Sequence, residues 1–250
     1  MRILITAGGT TEAIDSVRGI TNHSTGKLGV SIADYFAQQN SYVEFITSTH
    51  AMPPPQSSRI NTSLITNTEQ LLTVLTQQLT TIDFDAVIHS MAVSDYTPAL
   101  TCSQEEFAKK IEDRLNQGLS VNEALTIITK SSKTSAINKK ISSTNKTLIT
   151  ILKSNSKVIQ RIKKLQPQTL LVGFKFLVSV TQSKLLNVAR KNMKNAKADF
   201  FIANDLTEIN ENKHHAYLLN KQSDLYREAF TKEEIATLLF KQITERISAK

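Results

Sequence analysis

Residues 2–29 read RILITAGGTTEAIDSVRGITNHSTGKLG, and this stretch decides the fold. Ile3, Leu4 and Ile5 are an apolar run of the kind that forms a buried strand. Ala7, Gly8, Gly9 and Thr10 make a turn of small residues, and a polar loop follows. After Gly26, Val30, Ile32, Ala33, Tyr35 and Phe36 recur at helical spacing, which predicts a helix from about Thr25 to Gln38. Strand, glycine turn, polar loop and helix are the opening unit of a nucleotide-binding α/β domain. Glycines serve there because a Cβ would keep an anion away from the backbone, and because a positive φ is often needed. The N–H groups of such a turn, and of the helix after it, point at the anion.

The stretch is neither the dinucleotide fingerprint G-x-G-x-x-G nor the phosphate loop G-x-x-x-x-G-K-[ST]. Gly8-Gly9 therefore has a plain reading as a tight turn without a ligand. The loop beyond it favours a site: Asp15, Arg18, Thr21, Asn22, His23, Ser24, Thr25 and Lys27 give it little to bury. Polar loops of this kind sit at the carboxyl ends of strands in open α/β sheets, where ligands bind.

Working outward, Tyr42–Thr47 reads as a second strand and Asn61–Thr66 as a weaker third. Thr68–Leu79 reads as an amphipathic helix and Asp85–His89 as a buried strand. This alternation predicts an α/β, Rossmann-like fold with a mostly parallel sheet and helices on both faces. From Met91 a second polar loop begins. Asp95 in it is either a turn-capping residue or an acceptor for an exocyclic amine or a cation. Gln104–Leu115 and Val121–Thr129 read as short helices, and Ser131–Asn145 as a mobile, Ser/Thr/Lys/Asn-rich flap carrying Lys139 and Lys140. Leu148–Leu152 is a strand or the start of a turn, and Ser156–Leu165 a short basic helix. Leu170–Phe174 is a buried strand, Gln182–Asn195 a helix, and Phe200–Ala203 a strand ending in Asn204-Asp205. His215–Leu219 and Asp224–Glu228 suggest a hairpin. Thr231 and Glu234 make a capping box for a C-terminal helix. No linker or repeat divides the chain, so 1–250 reads as one nucleotide-binding domain.

Composition narrows the function. The chain has 250 residues, 40% hydrophobic and 21% charged, which is globular. One cysteine, Cys102, excludes an internal disulfide and a cysteine-built zinc site, and no histidine pair has H-E-x-x-H spacing. No signal segment or bilayer-length apolar run is present, so the cytoplasm is the expected location, with no membrane partner. Net charge is +8, concentrated between Ile151 and Phe200, where eleven Lys and Arg face one acid, Asp199. Such a run is a solvated face, a polyanion surface or a pocket for a small polyphosphate. Aromatic content of 6%, no tryptophan and no recognisable module speak against nucleic acid.

The segment AGGTTEAIDSVRGITNHSTGKLG resembles the signature of phosphopantothenoylcysteine synthetase, the phosphopantothenate–cysteine ligase of coenzyme A biosynthesis. MAVSDY, KKISS, LLVGFK and ADFFIANDL follow in that family's order, and the likeness spans nearly the whole chain. It is strongest to the free-standing bacterial form without a fused decarboxylase domain. The resemblance implies that 4'-phosphopantothenate is activated by CTP with Mg²⁺, giving an acyl-cytidylate and pyrophosphate. L-cysteine then displaces CMP, and the enzyme is a homodimer.

By the same resemblance, Gly8, Gly9 and Thr10 belong to the nucleotide loop, and Asn22 holds the acyl-nucleotide and its carbonyl. The backbone of His89, Ser90 and Met91, with Asp95, matches the cytosine-recognising strand end. Lys139 and Lys140 are the flap's candidates for the first half-reaction. Ser156, Lys157, Val158 and Ile159 align with a nucleotide-contacting turn, Phe174 with the aromatic beside the base, and Lys191 and Lys194 with phosphate-binding lysines. No residue is expected to bind metal directly. After the ANDL motif the family's Gly/Ser/Asp-rich stretch is replaced by Thr207–Lys213. A nicotinamide-dependent reductase on a Rossmann-like fold is the competing class. It would need the missing glycine fingerprint, and an acid closing the second strand, which here ends FITS.

Overall fold

The structure is a computed structural model, and it describes residues 1–131, 140–142, 144, 146–210 and 212–249. Most of the expected flap at 131–145, Lys139 included, lies outside the described residues. In chain order the elements are β1 (Arg2–Ala7), β2 (Thr11–Ala13), β3 (Gly19–Thr21), α1 (Lys27–Gln38), β4 (Tyr42–Ser48), β5 (Ile60–Ile65), α2 (Thr68–Thr81), β6 (Ala86–His89), β7 (Tyr96–Ser103), α3 (Gln104–Leu115), α4 (Val121–Ser131), β8 (Leu148–Ser154), α5 (Ile159–Leu165), β9 (Leu170–Leu177), α6 (Gln182–Ala196), β10 (Phe200–Asp205), a 3₁₀ turn (Leu206–Glu208), β11 (Ala216–Asn220), β12 (Ser223–Ala229) and α7 (Lys232–Ser248). Where the sequence reads as one domain, contacts gather the chain into two compact units. The first holds Met1–Gly9, His23–Val93 and Lys157–Lys250; the second holds Thr10–Asn22 and Ser94–Ser156.

The first unit is the expected α/β body. Its eight-stranded sheet has the order β12-β11-β10-β9-β6-β1-β4-β5. The strands from β10 to β5 pair in parallel, and β11 and β12 add the antiparallel C-terminal hairpin. Alternation along each strand divides the core. Ile3, Ile5, Ile88, Val172 and Ile202 face α1 and α7, which supply Ile32, Phe36, Ile235 and Leu239. Leu4, Val87, Leu171 and Phe201 face α2, α5 and α6, which supply Leu75, Ile162, Leu185 and Ala189. Capping follows the sequence closely. Asn67 accepts the Gln70 N–H at 2.9 Å to open α2, and Thr231 accepts the Glu234 N–H at 3.1 Å to open α7. The Glu234 carboxylate reaches back one residue further than a standard capping box, to the Phe230 N–H at 2.7 Å.

Gly29, in the first turn of α1, lies tightly against the end of β1. A Cβ there would lie 2.4 Å from Ala7 Cβ and 3.0 Å from Ser90 Oγ. Gly29→Ala should therefore lower unfolding free energy by about 1–3 kcal/mol, because overpacking outweighs the gain of about 1 kcal/mol in helix propensity. Urea unfolding with an unchanged m-value checks this; a more stable variant would show that the helix can lift away without cost.

The second unit is built on the antiparallel pair β7–β8, in register from Tyr96↔Ser154 to Ser103↔Leu148, with α3 and α4 packed against it. The small hairpin β2–β3 sits beside β7, where Thr97 donates to the Glu12 carboxylate at 3.0 Å. Neither β7 nor this hairpin was expected. Pro98 argues against a strand by removing a donor, and it is accommodated because the register shifts between Pro98 and Leu100. The hairpin strands have three residues each, too short for a periodic signal.

Candidate functional site

Strands β1 and β6 are neighbours, so the loops that leave their carboxyl ends emerge side by side, as ligand sites in open sheets require. Gly8 takes φ of 84°, and its carbonyl accepts the Ala92 N–H at 2.8 Å, tying the two loops together. A Cβ at Gly8 would lie 2.6 Å from Ser48 Oγ. Glycine at this position answers both the positive φ and the crowding.

Beside this turn, on the α1/α7 face of the first unit, lies a cavity of roughly 540 Å³. Gly8, Ser90 and the segment His23–Gly29 form one side of it, and Phe174 and Phe176 form another. The amino terminus of α1 opens onto it. Gly26, in the left-handed region at φ of 73°, precedes a first turn with no acidic residue, and Lys27 adds a cation. The first turn of a helix leaves N–H groups without intrahelical partners, so this end attracts an anion. Asn204, Asn210, His214 and Lys232 complete the polar part of the lining, which among the described residues contains no carboxylate. Asn204 and His214 are buried, and the Asn204 amide nitrogen lies 3.0 Å from His214 Nε2. Burial, aided by Lys232, pushes His214 down to about 4, so it is neutral near pH 7.

The second unit gathers other residues read from the sequence. Thr10 is buried; its hydroxyl accepts the Ser94 N–H at 2.9 Å and its carbonyl the Asn22 N–H at 3.2 Å. The Asp95 carbonyl accepts the Asn155 N–H at 2.8 Å, and the Asn155 amide donates to the Ser94 carbonyl at 3.0 Å. Thr10, Asn22 and Asp95 thus share one hydrogen-bonded framework. Nearby, the fully buried Asp15 carboxylate accepts from the Val17, Arg18 and Ile141 N–H groups and from the Arg18 guanidinium. Arg18 also donates to the Ile141 carbonyl at 2.7 Å. The residue after Lys140 is therefore held at both its N–H and its C=O.

The Val17 N–H, followed by those of Ile141 and Arg18, holds the Asp15 carboxyl far below the usual carboxylate range against the opposing effect of burial. In the first unit the Val180 N–H and the Thr207 hydroxyl do the same for Asp205. A lowered folded-state pKa lends stability above the unfolded value near 3.9, lost as pH falls toward the folded one. Asp15→Asn should accordingly be less stable than the parent at neutral pH, and the two unfolding curves should converge below about pH 4. Denaturant midpoints measured across that range test it; parallel curves would remove Asp15 from the acid response.

The remaining residues read from the sequence fall in several places. Ser90 and Phe174 line the cavity with Gly8. Gly9 bridges to Ala92 in parallel register. His89 and Met91 point to the opposite face of the sheet from Ser90. His89 shares a 2.8 Å hydrogen bond with Thr6, burial lowers its pKa to about 4, and Met91 packs in the α2/α5/α6 core. Ser156 and Lys157 are exposed, Val158 is core, and Ile159 begins α5. Lys191 and Lys194 lie on the exposed side of α6, across the sheet from the cavity, and are absent from its lining. Lys140 is exposed. Sequence reasoning missed Phe176, Asn204, His214 and Lys232. Asn204 carried a signal, since it ends a buried strand at its carboxyl end. His214 and Lys232 reach the cavity only through the fold of the C-terminal hairpin.

The first unit thus has the form of an open, doubly wound α/β body with its cavity at the carboxyl ends of the strands. The chain belongs to the family of the DNA/pantothenate metabolism flavoprotein C-terminal domain, which it matches over residues 1–136 and 131–247. It is 30% identical over 251 residues to the coenzyme A biosynthesis bifunctional protein CoaBC of Methanocaldococcus jannaschii, covering 100% of this chain and 50% of that protein. The chain spans about half the length of the curated relatives it matches first. Among solved structures, the DNA/pantothenate metabolism flavoprotein from Streptococcus pneumoniae superimposes with a TM-score of 0.82 at 39% identity, covering 98% of this chain and 99% of that one. A Cab2 variant in complex with phosphopantothenate-cysteine shares the fold, with a TM-score of 0.70 at 17% identity over 99% of this chain and 86% of that one. Among the described residues no helix is long and apolar enough to cross a membrane.

Proposed function

We propose that the chain is a phosphopantothenate–cysteine ligase. In this reading it joins 4'-phosphopantothenate to L-cysteine through an acyl-cytidylate formed from CTP, and it acts as a homodimer. The observation that carries the proposal is the cavity of the first unit, where a glycine turn, a helix amino terminus, Lys27, Lys232 and two phenylalanines face one space. A triphosphate suits the cationic end and a flat base suits Phe174 and Phe176. Family membership supports the chemistry, as does the relative solved with phosphopantothenate-cysteine.

A carboxylate is a poor acyl donor, and transfer of a nucleotidyl group onto it supplies a leaving group. Positioned cations would offset the charge that develops as pyrophosphate departs, with Lys140 adding its compact ammonium. Asn22 would steady the acyl carbonyl while the amine of cysteine attacks, because its amide both donates and accepts. Among the described residues the cavity lining offers no carboxylate, so Mg²⁺ would be held by the phosphate oxygens and supply further charge neutralisation there.

Thermal melts with CTP, ATP and NADPH, joined to product analysis, test the reading. CTP should raise the melting temperature at concentrations well above its dissociation constant. Pyrophosphate should appear with CTP and 4'-phosphopantothenate before cysteine is added, and CMP afterwards. Stabilisation by NADPH alone would favour the reductase, and release of AMP or ADP would change the nucleotide.

A further inference from the structure

His215 directly precedes β11 and is buried, yet both of its ring nitrogens meet carboxylates. Nδ1 lies 2.7 Å from Glu208 Oε2, and Nε2 lies 2.9 Å from Glu228 Oε2. An ionised carboxylate only accepts, and a neutral imidazole has a single N–H. Both contacts are therefore hydrogen bonds only when the ring carries two protons. The surroundings suit that cation. The ring stacks on Phe230, with centroids 4.8 Å apart and planes within 10°, and the Tyr217 ring lies 4.6 Å away. Two opposite charges offset the cost of burying it. The other titratable groups around it are Tyr217, Tyr226 and His214. Burial, and then the Glu208 and Glu228 carboxylates, push the Tyr217 phenol up, so it stays neutral. Tyr226 packs edge-on against Tyr217, and Lys232 faces His214.

The bridge matters because of where Glu208 lies. It ends the 3₁₀ turn Leu206–Glu208, and Leu206, Ile209 and Asn210 are part of the cavity lining. This wall is anchored at its start by Asp205, whose carboxylate accepts the Thr207 N–H and hydroxyl at 2.9 and 2.7 Å. At its far end the Asn210 side chain accepts the Lys213 N–H at 2.7 Å. Between those anchors the Glu208 carboxylate ties the wall to the C-terminal hairpin, and the backbone bond beside it, from the His215 N–H to the Glu208 carbonyl, is long at 3.4 Å. We infer that His215 is a positioning residue for the cavity: its imidazolium straps the Leu206–Asn210 wall to the hairpin, and loss of one ring proton to water frees Glu208 and slackens that wall. The remaining N–H stays with Glu228, which strand pairing holds in β12, whereas Glu208 sits on a short turn. The strap is complete on the acid side of the ring's titration and is lost as pH rises through it, so the cavity should hold its ligand less well at higher pH. The inference rests on the nucleotide reading above for the identity of that ligand alone.

The test compares the full chain with Glu208→Gln and His215→Phe. A glutamine amide can accept from a ring N–H or donate to a bare ring nitrogen, so Glu208→Gln keeps the tie in both protonation states. His215→Phe retains an aromatic ring beside Phe230 and removes the tie at every pH. Hydrogen exchange of the Thr207 and Ile209 amides, without ligand and from about pH 5.5 to about 8.5, reads the wall directly. Taking the ratio of parent to Glu208→Gln at each pH cancels the intrinsic pH dependence of exchange. That ratio should rise at least about tenfold toward alkaline pH, the scale of one hydrogen bond to a charged group, with the parent approaching His215→Phe. Calorimetric titration with CTP should show the affinity of the parent falling relative to Glu208→Gln over the same range. A structural clamp alone would alter the melting temperatures of the variants and leave the exchange ratio flat, which overturns the strap. A wall that responds while the CTP affinity ratio stays flat overturns the positioning role. Should His215→Phe fail to fold, the ratio of parent to Glu208→Gln decides by itself. A parent that binds no CTP at any pH overturns the nucleotide reading, and the exchange ratio then decides the strap.

Discussion

In the proposed ligase reaction, Asn22→Asp should still consume CTP and release pyrophosphate, yet pass the acyl group to cysteine about two orders of magnitude more slowly, the usual scale for losing one oxyanion donor. Asn22 follows β3 and is half-buried, with its backbone N–H bonded to the Thr10 carbonyl at 3.2 Å. It is not needed as a helix cap. The helix begins at Lys27 behind Gly26, and Thr25 is the residue whose hydroxyl approaches the Lys27 N–H, at 3.4 Å. The aspartate keeps the size of the side chain, removes its donor and places negative charge where an oxyanion develops. The acyl-cytidylate should therefore accumulate and be detectable by mass spectrometry. Normal product formation, or no pyrophosphate at all, would take this role away from Asn22.

Lys140→Ala should act one step earlier. If Lys140 has the role proposed for it, removing its ammonium from the departing pyrophosphate is expected to cost about 2–4 kcal/mol of transition-state stabilisation, a slowing of roughly thirty- to thousandfold in the first half-reaction. The side chain is exposed, so the fold should not change. The hydrogen bonds that Asp15 and Arg18 make to Ile141 hold the backbone beside it, and they do not depend on the lysine side chain. Pyrophosphate release without cysteine isolates the step. A parent-like rate there would move the role to Lys139, and a lowered melting temperature would mean that the lysine serves the fold.

Much of the first unit could be read directly. The run Ile3–Ile5, the glycine turn and the helical spacing after Gly26 place β1 and α1 almost to the residue, because a buried strand and an amphipathic helix each impose a period on the chain. The capping signal at Thr231 is local hydrogen-bond chemistry and appears as expected. The same local logic explains β11 and β12, whose two short runs are separated by a polar turn. The polar loops at strand ends pointed toward the cavity because their composition gives them nothing to bury.

Other features depended on residues far apart in the chain. The partition into two units joins Thr10–Asn22 to Ser94–Ser156, segments whose pairing no local pattern encodes. β7 was hidden because Pro98 argues against a strand until a partner absorbs the shift in register. The basic stretch named Lys191 and Lys194, but charge along a helix does not say which side of a sheet the helix covers; packing of Leu185 and Ala189 places α6 across from the cavity. Asn204 and His214 meet because β10 and the segment before β11 return side by side. Sequence by itself determined the periods, caps and turns, since those are set by neighbouring residues. Only the tertiary structure decided which faces meet and which polar groups line the cavity, since burial and hydrogen-bond satisfaction are properties of the whole packed unit.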